Sequence, residues 1–64
     1  MADRTLEAVS SELRRKQDEL IEFLADGRAK DYAHYREICG VLRGLLTAES
    51  FTRDLVRKME YDDE

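Results

Sequence analysis

The sequence predicts an all-α fold, a two-helix antiparallel hairpin, on three observations. Proline is absent; leucines and valines return at helical spacing in both halves; and an Asp26-Gly27 pair followed by a short polar stretch separates the halves. At 64 residues the chain is one small domain with no room for a catalytic fold and its own cofactor pocket. It is rich in charge, 41% of residues, with 15 acidic against 11 basic residues and a net charge of −4. That balance opposes coating a nucleic-acid backbone, for which clustered Lys and Arg are the footprint, so direct nucleic-acid binding is not expected. No apolar run approaches the ~20 residues of a membrane span, and no signal-peptide pattern follows Met1.

Helix 1 is expected over about residues 4–25. Leu6, Val9, Leu13, Leu20 and Leu24 form one narrow stripe, interrupted for a turn by Lys16 and Gln17. Glu12 with Lys16, Arg14 with Asp18, and Arg15 with Glu19 stand four apart, as a solvated helix face prefers. Asp26-Gly27 supplies the stop, with Gly27 free to take the left-handed conformation. The connector is 26–30, the length of a helical-hairpin loop.

Asp31 is the expected N-cap of helix 2, which runs over about residues 32–59. Glu49 with Arg53 and Asp54 with Lys58 repeat the four-residue pairing. Residues 60–64 form an acidic tail that fits poorly with the negative end of the helix dipole and is expected to fray. On a helical wheel Tyr35, Ile38, Leu42, Leu45 and Val56 share one side, and Ala33, Gly40, Gly44, Ala48, Phe51 and Leu55 a flank beside it. The apolar arc covers roughly two-thirds of the circumference, whereas one facing helix covers about a third. Something besides helix 1 must cover the rest.

Chemistry-bearing motifs are sparse. Cys39 reads as a small buried hydrophobe, and His34, the single histidine, as an exposed first-turn residue; five residues apart, they point in different directions. One cysteine and one histidine build neither a disulfide nor a zinc site, and no phosphate loop or nucleophile elbow occurs, so no catalytic, cofactor-binding or metal-binding residue is assigned. Tyr32 and Tyr35 are expected to close the end of the hairpin over Phe23 and Leu24, or else to contact a partner. Gly40 and Gly44, each costing ~1 kcal/mol against alanine in a helix, suggest a close backbone approach, either inside the hairpin or with another chain, with a functional kink as the third reading.

The run Lys30-Asp31-Tyr32-Ala33-His34-Tyr35-Arg36-Glu37-Ile38-Cys39-Gly40-Val41-Leu42-Arg43-Gly44-Leu45 resembles a core recurring in short acidic proteins of tailed bacteriophages, often podovirus-like ones. Its pattern is Asp-aromatic-Ala-x-Tyr, then Ile/Leu-Cys-Gly, then Gly-Leu. The resemblance implies a viral setting, in the virion or the host cytoplasm, without a reaction. The resulting expectation is a non-enzymatic structural or assembly protein of the head, portal neck or interior. Its contacts would be with itself or with a phage structural protein such as portal or capsid. The alternative is a small regulator that inhibits a host enzyme or defence complex. The residues expected to carry the interface are Tyr35, Ile38, Gly40, Leu42, Gly44, Leu45, Phe51 and Leu55.

Overall fold

The computed structural model describes residues 4–62, with side chains through residue 60. It contains α1 (Arg4–Ala25) and α2 (Tyr32–Asp62), which pack against each other as an antiparallel hairpin, and no strand among the described residues. The rod measures 51 × 15 × 13 Å.

The turn is built as its sequence dictates. Gly27 adopts φ +72°, its N–H donates to the Leu24 carbonyl (3.0 Å), and the Arg28 N–H donates to the Phe23 carbonyl (3.2 Å). These are the two bonds of a Schellman motif, which satisfies carbonyls that the helix end would leave open. Asp31 caps α2: its Oδ1 accepts the His34 N–H at 2.8 Å. His34 returns the favour one residue upstream, its Nδ1 accepting the Lys30 N–H at 3.0 Å.

The seam follows a four-three repeat on both helices. Leu6, Ser10, Leu13, Gln17, Leu20 and Leu24 of α1 meet Ile38, Leu42, Leu45, Glu49, Thr52 and Val56 of α2, all buried or half-buried. This is the a/d spacing of a coiled coil. Its deepest positions are mostly polar: Gln17 is 4% exposed and Glu49 5%, with Ile38 the one buried apolar residue among the described residues. Gln17 is therefore part of the seam, not an interruption of it. Its place four residues after Leu13 and three before Leu20 overrides its polarity, because the pair satisfies itself. Gln17 Nε2 donates to Glu49 Oε1 at 2.8 Å and lies 3.4 Å from the Leu45 carbonyl, while Arg14 Nη1 reaches Glu49 Oε2 at 3.6 Å. Thr52 is satisfied locally, its hydroxyl donating to the Ala48 carbonyl at 2.8 Å. Among the described residues no buried side-chain polar atom lacks a partner.

Three further expectations are corrected. Val9, assigned to the stripe of helix 1, is exposed at the margin of the seam. The aromatic closure at the turn is made by His34, not the tyrosines: Phe23 and His34 meet edge to face at 5.8 Å, while Tyr32 and Tyr35 stack on each other outside, with Tyr32 72% exposed. His34 is accordingly half-buried. Finally, α2 continues to Asp62, beyond the end expected near residue 59. Acids against the helix dipole cost only about 0.3–1 kcal/mol at exposed sites, too little to stop a helix that meets no glycine or proline. Residues 63 and 64 of the acidic tail lie outside the described residues.

Candidate interaction surface

α2 presents three different sides, and the eight expected interface residues divide among them. Ile38, Leu42 and Leu45 face α1 and are committed to the hairpin seam. Gly40, Gly44, Phe51 and Leu55 lie together on a flank turned away from α1, with Phe51 67% and Leu55 51% exposed. Tyr35 belongs to a third side, beside Tyr32 and the half-buried Cys39.

The glycines are the informative members. A Cβ built on Gly40 or on Gly44 meets no atom within 4 Å. The close backbone approach expected of them is thus not made inside the hairpin. Two glycines in an exposed helix interior sacrifice helix propensity without any packing return inside this chain. Arg36, Glu37 and Arg43 border Gly40, and the apolar part of the flank, Phe51 and Leu55, begins about two turns beyond Gly44. Val41 and Met59 are exposed next to the glycine flank, and neither is among the residues expected at the interface. Their signal was present in the wheel, where both sit at the edge between flank and seam. Nine large apolar side chains are substantially exposed among the described residues, and seven of these nine are on α2.

α1 is different on its outer face. Arg15 bridges Glu12 (Nε to Oε2, 3.0 Å) and Glu19, and Lys16 Nζ lies 3.6 Å from Glu19 Oε1. The hydrogen bond and charge of Arg15 hold the Glu12 carboxyl below its usual range, and Glu12 in turn raises Arg15. Arg14 leaves the expected partner Asp18 and crosses to Glu49.

On the third side, a hydrogen bond with Cys39 and then its charge raise the Tyr35 phenol above its ordinary range. Among the described residues no group of three or more His, Cys, Asp or Glu is placed to hold a metal ion. No described helix is long and apolar enough to cross a membrane. Comparison with known proteins finds no matching family model, curated relative or solved structure.

Proposed function

We propose that this chain is an assembly component of a tailed bacteriophage, a minor head, portal-neck or internal protein that works by helix-mediated contact and performs no reaction. The observation that carries the reading is the outward flank of α2, where Phe51 and Leu55 are exposed about two and three turns beyond Gly44, on the same side as two glycines with open space above them. Apolar residues on a rigid helix beside small residues suit helix-to-helix docking, in which the glycines let a second backbone come near and the large side chains supply buried area. The viral setting rests on the resemblance of residues 30–45 to the phage core, and with it the location in the virion or host cytoplasm. Portal, capsid or the chain itself would be the partner.

Mass spectrometry of purified particles and assembly intermediates, from the phage whose genome carries this sequence, tests the proposal. The chain is expected in one or both at defined copy number, and Phe51→Ser with Leu55→Ser should remove it. Its absence from particles and intermediates, together with early expression, would overturn the assembly reading in favour of a regulator of a host enzyme or defence complex.

A further inference from the structure

We infer that the glycine flank of α2 binds a second copy of the same flank, antiparallel, about a two-fold axis passing between Thr47 and Ala48. This deepens the assembly reading and rests on it for biological meaning, although the pairing itself stands on geometry.

At about 100° per residue, Glu37, Gly40, Gly44, Phe51, Leu55 and Lys58 fall within roughly 60° of one another, on a strip centred well away from the seam. Within that strip the residues are ordered in an informative way. Gly44 and Phe51 are placed symmetrically about the point between Thr47 and Ala48. So are Gly40 and Leu55, and so are Glu37 and Lys58. An antiparallel two-fold contact through that point therefore sets Phe51 over the second copy's Gly44, Leu55 over its Gly40, and Lys58 beside its Glu37. Each match occurs twice by symmetry.

The fit is one of shape as well as charge. The two gaps left by the glycines are one helical turn apart, and so are the two large side chains that would fill them. The oppositely charged ends close the strip about 32 Å apart, which a shallow crossing of the two helices keeps in contact. A parallel pairing in register does the reverse. It would set glycine over glycine, Phe51 against Phe51, Glu37 against Glu37 and Lys58 against Lys58. The sequence thus discriminates against it by both bulk and charge.

The hairpin also has reason to pair. No large side chain is fully buried among the described residues, and the accessible surface is 5211 Å². A specific dimer needs to bury about 600–1,000 Å² from each chain, roughly one-eighth to one-fifth of that surface. The product is a four-helix arrangement in which the two α2 helices are central and the two charged α1 helices lie outside.

Sedimentation equilibrium of the full chain, from low to hundreds of micromolar, tests the inference. The wild type is expected as a monomer–dimer system, dimeric at tens of micromolar. Gly44→Ala should raise the melting temperature of the dilute hairpin, because its Cβ enters open space there, yet weaken the dimer about tenfold by crowding Phe51 of the second copy. Glu37→Lys and Lys58→Glu should each weaken it roughly threefold to tenfold, and an equimolar mixture of the two should pair more tightly than either alone. A wild type monomeric at hundreds of micromolar would overturn self-pairing, as would a dimer that Gly44→Ala leaves unchanged or a charge-reversed mixture that gains nothing. If the chain is monomeric but still enters phage particles, self-pairing falls and the assembly reading stands. If the dimer behaves as expected but the chain is missing from particles and intermediates, the assembly reading falls and the pairing stands.

Discussion

α1 and α2 contribute equally to the seam and differ almost completely outside it. Both supply six residues at the same four-three spacing, and each supplies two polar members. Beyond the seam, α1 carries a chain of ion pairs through Glu12, Arg15, Lys16 and Glu19. α2 exposes Val41, Phe51, Leu55 and Met59, and on its outward flank two glycines with open space above them. A helix that only had to complete a hairpin would look like α1. The extra apolar surface of α2 is therefore not explained by the packing of α1 against it, and that contrast separates what holds the hairpin together from what remains uncovered by it.

The contrast is broken most severely at Leu42. Truncating this seam residue to alanine should cost about 2–5 kcal/mol, enough to unfold most of so small a domain, as read by circular dichroism during thermal or urea melts. Leu55→Ala, on the outward flank, should change the stability of the dilute monomer by no more than about 0.5 kcal/mol. Equal losses at the two sites would mean that the flank is part of the core after all.

A smaller effect sharpens the account of the seam itself. Gln17→Leu alone leaves the Glu49 carboxylate without its amide donor in a buried position, a loss of about 1–3 kcal/mol. Adding Glu49→Leu should restore or exceed the original stability, since an apolar pair of similar volume replaces a buried polar one. The double variant should also show broader amide resonances or a mixture of registers, because the polar layer no longer opposes slippage by a heptad. If the two single losses simply add, the residues do not act as a pair.

The smallest effect lies on the outer face of α1. The Glu12 carboxyl is lowered in the folded state by Arg15, so its contribution is present above the carboxyl's unfolded value and is lost as pH falls through its lower folded value. Because the pair is fully exposed, Glu12→Gln should do no more than flatten slightly the acid limb of a melting-temperature–pH profile, an effect that added salt also removes. A change at neutral pH as large as that at Leu42 would show that the ion pairs, not the seam, hold the helices.

The hairpin was legible because its signals are local. Asp26-Gly27 and Asp31 act through backbone bonds within a few residues, and the leucine spacing of each helix needs no knowledge of the other. Gln17 and Glu49 were misread for the opposite reason. Each alone looks like a polar residue on a solvated face, and only the pairing across 32 residues makes both tolerable in the seam. The exchange of roles between His34 and the tyrosines turns on side-chain direction in the first turn of α2, which composition does not encode. The glycines illustrate a further limit. Spacing showed that they needed an explanation, but only the position of α1 could show that the hairpin does not supply one.

The turn at Gly27 has a consequence in time as well as in space. Because the chain doubles back through so short a connection, many contacts join residues close in sequence, a topology that folds in microseconds to milliseconds. Association between chains is slower at cellular concentrations, being limited by encounter and orientation. Folding is therefore complete before a second chain could arrive, so any partner would meet a preformed helical surface and not a disordered chain.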